Sequence, residues 1–115
     1  MRKFYPDEVY VMKKLKNNTI LEGLGLMGLY GGLSANEIKA RKGLKPDQNL
    51  FASMGYTELA ANYFRITQTE EKLKREGLSG KIKDKHLYFE VGRRVRQTIM
   101  ELGNPMPEDL PIKSN

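Results

Sequence analysis

The chain has 115 residues, 39% of them hydrophobic and 30% charged, with no cysteine and a formal net charge of +6. That composition describes one ordinary globular domain in a reducing, cytoplasmic setting, and it excludes disulfides, thiolate nucleophiles and cysteine–zinc sites. No apolar run reaches the roughly 20 residues of a membrane span, since Gly23, Gly25 and Gly28 interrupt the longest one, and no signal-peptide core is present.

Residues 6–16, PDEVYVMKKLK, put a proline where a first helical turn tolerates it, with acids early and lysines late. The helix dipole favours that order, so a short N-terminal helix is predicted. The next segment, 20–33, contains Gly23, Gly25, Gly28, Gly31 and Gly32 and is read as an ordered loop packed by Leu24, Leu26, Leu29 and Tyr30. Within it, Gly23 to Gly28 spells GxGxxG, a pattern that wraps a pyrophosphate when it joins a strand to a helix. Only Thr19, Ile20 and Leu21 precede it as a strand, and Gly31–Gly32 block the required helix, so a packing loop is the better reading and no cofactor is expected. Ser34 then caps a short helix, with Glu37 as its capping-box partner and Gly43 as its stop. Pro46 or Asp47 begins another helix at DQNLFASM, closed by Gly55.

Two longer patterns follow. In TELAANYFRITQTEEKLKREG, Leu59, Tyr63, Ile66 and Leu73 recur on one helix face, Thr57 is the expected cap and Gly77 the stop. In DKHLYFEVGRRVRQTIMELG, Leu87, Val91, Val95, Ile99 and Leu102 form a second stripe between an Asp84 cap and a Gly103 stop, before the extended tail NPMPEDLP. Two such stripes across a short polar link predict an antiparallel pair. The whole is expected to be mainly α: one domain over 1–115, a small bundle of about five helices with that long-helix pair and a Gly-rich ordered loop.

TELAANYFRITQTEEKLKRE, HLYFEVGRRVRQTIMELG and MPEDLP, with the earlier LYGGLSANEIKARKGL, resemble the C-terminal region of the bacterial DNA-damage-inducible protein D family, over about residues 28–111. One departure is Asn104–Pro105, where the family pattern has Gly-Thr. Such proteins usually also carry an N-terminal Bro-type domain, which does not fit ahead of the match, so the resemblance implies a stand-alone or truncated relative. It further implies a role in the SOS response, modulating a RecA-type recombinase filament or the single-stranded DNA in it. It supplies no catalytic motif.

The charge is concentrated. Between Lys72 and Arg96 lie Lys72, Lys74, Arg75, Lys81, Lys83, Lys85, Arg93, Arg94 and Arg96 against only Glu76, Asp84 and Glu90. A basic ridge of this kind attracts a polyanion, nucleic acid or an acidic partner, while its plain alternative is a solvated surface with local pairs such as Glu90 to Arg94. Tyr88 and Phe89 beside it suit stacking on single strands but at helical spacing are better read as core. Thr67 to Glu71 is a polar run, either a solvated face or a docking patch.

Ser34 to Gly55 also reads as a weak helix-turn-helix, with Lys45, Gln48 and Asn49 as duplex contacts; it underlies a rival expectation, a phage-antirepressor-like regulator binding duplex DNA or a repressor. Against it, Asn49 falls where a buried aliphatic belongs. His86 is the sole histidine, at a helix start, and no carboxylate cluster resembles a metal site, so neither catalysis nor a metal is expected. Leu24, Leu26, Met27 and Leu29, if left uncovered by one chain, predict a homodimer.

Overall fold

The computed structural model describes residues 19–75 and 85–113. Helices α1 (Thr19–Leu29), α2 (Ala35–Lys42), α3 (Tyr56–Arg75) and α4 (Lys85–Glu101) carry the fold, with single 3-10 turns at Phe51–Ser53 and Pro107–Asp109. The expected helix at 6–16, the Gly77 stop and the Asp84 cap lie outside the described residues. None of the described helices is long and apolar enough to cross a membrane.

The Gly-rich segment is a helix, not a loop. Glycine costs a helix about 1 kcal/mol per residue relative to alanine, and here contact with α4 offsets that cost. Gly25 and Gly28 face Gly92 so closely that a Cβ at Gly28 would lie 2.2 Å from the Phe89 carbonyl oxygen, and one at Gly92 2.3 Å from the Gly25 carbonyl oxygen. The two backbones touch where any side chain would hold them apart. The GxGxxG pattern is therefore a helix-crossing seam, and the glycines that follow it, Gly31 and Gly32, turn the chain out of α1 at positive φ.

Contacts fix the directions. Glu22 meets Arg65 and Tyr30 meets Glu58, in opposite order along α1 and α3. Gly25 lies against Tyr88 and Gly31 against Arg96, in the same order along α1 and α4. The long helices α3 and α4 thus run opposite ways, as expected, although α4 rests chiefly on α1.

Leu26, Leu29, Tyr30, Ile38, Leu50, Met54, Leu59, Ile66 and Val95 make the core, each contributing on the order of 1.5–3 kcal/mol by burial. The α4 stripe is inward at Leu87, Val91 and Val95 but ends before Leu102, which is 69% exposed. Tyr88 is core, whereas Phe89 sits at the margin. Of the four residues behind the homodimer expectation, Leu26 and Leu29 are buried within one chain while Leu24 and Met27 are half-buried.

Local signals set α2. Ser34 Oγ accepts from the Glu37 amide while Glu37 Oε1 accepts from the Ser34 amide, and Gly43 at φ 77° closes the helix. The bond from the Ser34 amide draws the Glu37 carboxyl below its ordinary value. The second helix expected at DQNLFASM does not form: only a 3-10 turn at Phe51–Ser53 follows before α3 begins at Tyr56, one residue ahead of the expected Thr57 cap. The tail then returns across the bundle, Met54 bridging Ile112 and the Lys113 amide donating to the Ser53 carbonyl at 2.7 Å.

Candidate functional site

Two polar constructions dominate the molecule, one inside and one outside. The inner one is not visible in the apolar pattern. Glu58, Asn62, Arg65 and Thr69 recur at helical spacing along α3, and all four are buried. Arg65 Nη1 donates to Glu22 Oε1 at 3.0 Å and its Nε to Asn62 Oδ1 at 3.2 Å. Gly25 makes room for it, since a Cβ there would stand 2.7 Å from Arg65 Nη1. Asn62 Nδ2 donates to the Tyr30 hydroxyl, which itself donates to Glu58 Oε2. Glu58 Oε1 accepts from Lys42 Nζ at 2.7 Å, and the same ammonium donates to the Pro107 and Leu110 carbonyls at 2.8 and 2.5 Å. All three Lys42 donors are used. The chain of bonds ties α1, α2, α3 and the tail together.

Burial sets the protonation of this network. It raises the Tyr30 phenol well above its ordinary value, helped by the Glu58 charge, so Tyr30 stays a neutral donor. It pushes the Glu58 carboxyl up, with Lys42 and Tyr30 opposing, and pulls the Arg65 guanidinium down, with Glu22 opposing. Arg65 Nη2 has no hydrogen-bond partner among the described residues. Apart from that nitrogen, the network is a structural lock, its side chains bonded to one another and to the tail carbonyls.

The outer construction is a groove of about 570 Å³ between α3 and α4. Leu87, Val91 and Val95 form its floor, and Phe64, 53% exposed, stands in it. Lys72, Arg75 and Arg94 line it as cations, with Glu71 and Glu90 between them. Both acids are shared: Glu71 pairs with Lys74 and Arg75, and Glu90 with Arg93 and Arg94. Hydrogen bonds from Arg93 and then Arg94 hold the Glu90 carboxyl down to about 2.

The expected basic ridge is accordingly brought together in part. Lys72, Arg75 and Arg94 line this groove, Lys74 and Arg93 are exposed on the same helices, and Lys85 opens α4. Lys81 and Lys83 lie outside the described residues. Arg96 leaves the ridge: it donates both Nη groups to Glu108 at 2.8 Å, and Nη1 also to the Leu29 carbonyl at 3.1 Å. It fastens the tail to α1, a role hidden because Glu108 lies beyond the helix end, outside any local pairing rule. Arg41 ties the tail to α2 through Asp109 at 2.6 Å, both half exposed.

The duplex-contact residues have other tasks. Gln48 Oε1 accepts from the Lys45 amide at 2.6 Å, and Asn49 Oδ1 caps the Phe51 and Ala52 amides. Lys45 is exposed but sits on a turn, and the recognition helix that would present all three to a groove is missing. His86 is exposed in the first turn of α4.

The profile of the family described as the DinD C-terminal domain matches residues 10–115. Among curated proteins, DNA damage-inducible protein D of Escherichia coli (strain K12) is 58% identical over 92 residues, covering 80% of this chain and 34% of that protein. The chain thus spans about a third of the length of that relative. No solved structure matches it.

Proposed function

The chain belongs to the DinD C-terminal domain family, and from that membership we propose that it is a non-enzymatic binding module of the bacterial DNA damage response, acting in the cytoplasm on a RecA-type recombinase filament or on the single-stranded DNA in it. The observation that carries the reading beyond the family is the α3–α4 surface, where Lys72, Arg75 and Arg94 line an apolar groove against Glu71 and Glu90, with Lys74 and Arg93 exposed on the same two helices. Cations gathered on one face steer a polyanionic or acidic partner toward it. The Glu90 carboxylate holds two guanidinium groups together, so an incoming anion meets a prearranged pair.

The rival reading, a regulator gripping duplex DNA through Lys45, Gln48 and Asn49, lacks a recognition helix and is not favoured. Titration of the 115-residue chain against labelled oligothymidylate, bare and coated with recombinase, across a salt series tests the proposal. Replacing Arg93 and Arg94 with Ala is expected to weaken binding and to flatten the salt slope by up to about one unit for each phosphate no longer engaged. Absence of binding to either form would refute it.

A further inference from the structure

The groove says more about its partner than the charge alone. We propose that it receives an amphipathic helix from a partner protein, apolar along the side that meets Phe64, Val91 and Val95 and acidic along both flanks. This rests on the reading of the chain as a binding module and names the chemistry of what it binds.

Three observations lead there. First, the groove uses a face of the long helices that α1 does not. Helix α1 meets α3 at Glu58, Asn62 and Arg65 and α4 at Tyr88, Phe89 and Gly92, whereas the groove runs along Phe64, Gln68 and Arg75 and along Val91, Arg94 and Thr98. Each row covers two to three turns, up to roughly 16 Å, a length that a partner helix of three to four turns fills. Second, Phe64 stands 53% exposed above a floor of valine and leucine. An open aromatic rising from an apolar trough offers an anchor point, and helix-in-groove recognition supplies apolar side chains at three- and four-residue spacing to meet it.

Third, the flanks are cationic in a particular way. Arg75 reaches Glu71 through Nε alone, and Arg94 reaches Glu90 through Nε alone. The Nη edge of each guanidinium is left open among the described residues, and such an edge takes a second carboxylate in bidentate fashion. A helix with Glu or Asp on both flanks therefore completes the pairs on either side of the trough. A single nucleic-acid strand fits less well, because it offers no continuous apolar stripe to the floor of Leu87, Val91 and Val95.

The test uses the full chain and a labelled helical peptide of about 18 residues, with leucines at three- and four-residue spacing and glutamates on both flanks. A twin peptide carries lysine in place of every glutamate, and oligothymidylate of roughly 20 nucleotides is the nucleic-acid probe. The protein variants are Phe64→Ala, the pair Arg75→Glu with Arg94→Glu, and Leu102→Ala, an exposed site away from the groove, each checked by circular dichroism. The acidic peptide is expected to bind the native chain and Leu102→Ala alike, and at least about tenfold more weakly to Phe64→Ala. The charge reversal should transfer preference to the lysine twin. Failure of the acidic peptide to bind, equal binding of both twins, or indifference to Phe64→Ala would overturn the proposal, and Phe64-dependent binding of the oligonucleotide alone would assign the groove to nucleic acid. Filament or oligonucleotide binding that survives every groove variant would remove the groove and leave the module reading intact. Peptide binding without any engagement of filament or DNA would do the reverse.

Discussion

Two glycine-to-alanine substitutions, both inside helices, are expected to shift stability in opposite directions. At Gly92 a new Cβ lands 2.3 Å from the Gly25 carbonyl oxygen and 2.8 Å from the Leu29 amide nitrogen. An unstrained carbon–oxygen contact is about 3.3 Å, so α1 and α4 must part by roughly 1 Å, and neither backbone group can rotate aside. A gap of that size forfeits about a quarter to a half of each dispersion contact along the seam, and overpacking of this kind costs about 1–3 kcal/mol. Alanine returns about 1 kcal/mol of helix propensity, leaving Gly92→Ala destabilised by up to about 2 kcal/mol, a melting temperature lower by up to roughly 8 °C. At Gly23, also in α1, a Cβ meets no described atom within 4 Å. There the propensity gain stands unopposed, and Gly23→Ala should melt about 2–4 °C higher. Thermal melts by circular dichroism, with urea titrations for the free energies, read both. A Gly92→Ala protein as stable as the parent, or both variants shifting the same way, would refute the glycine seam as the reason this segment is helical.

The internal lock and the tail clasp give further expectations. Lys42→Met leaves Glu58 and two carbonyls buried without their donor and should cost about 3–5 kcal/mol, whereas Arg41→Ala, at a half-exposed pair, should cost less than about 1 kcal/mol; urea midpoints compare them. Arg96→Ala strands Glu108, whose side chain is only 8% exposed, and should destabilise by about 3 kcal/mol, while Arg94→Ala should alter partner binding with melting nearly unchanged. The Glu90 carboxyl is held at about 2 against an ordinary 4.5, so its stabilising contribution is fully present above about 4.5 and disappears as pH falls toward 2. In the Arg93→Ala, Arg94→Ala double variant its carbon-detected NMR midpoint should return toward 4.5. Val95→Asp, at a site 9% exposed, puts a carboxylate into the core and should prevent stable folding, seen as loss of the cooperative melt.

What could be read from the chain divides by range. Ser34, Glu37 and Gly43 specify α2 within ten residues, so the capping box and the left-handed stop were legible and the structure repeats them. The stripe Leu87, Val91, Val95 was legible because burial follows the helical period. Gly25 and Gly28 misled for the converse reason: their local preference is against a helix, and the deciding contact, Gly92, lies more than sixty residues away. The recurrence of Glu58, Asn62, Arg65 and Thr69 has the same spacing as an apolar stripe, yet polarity alone makes such a row look like solvent-facing surface until Glu22, Tyr30 and Lys42 are brought in to satisfy it.

The three arginines of α4 show how this bears on the site. Arg93, Arg94 and Arg96 are alike in sequence, but only Arg93 and Arg94 have Glu90 within reach one turn earlier. Arg96 points to the other side of the helix, where Gly31 has no side chain to obstruct it and the tail delivers Glu108. A cation count treats the three as equal, whereas partner geometry makes two of them surface and one a clasp. The uncommon words MPEDLP and LYGGLSANEIKARKGL are joined by the same logic: Lys42 and Arg96 hold the first against the second, so a change in one is felt as loosening of the other. The groove proposed as a binding face is lined by neither Lys42 nor Arg96, so its exposed residues can be replaced without undoing these two clasps.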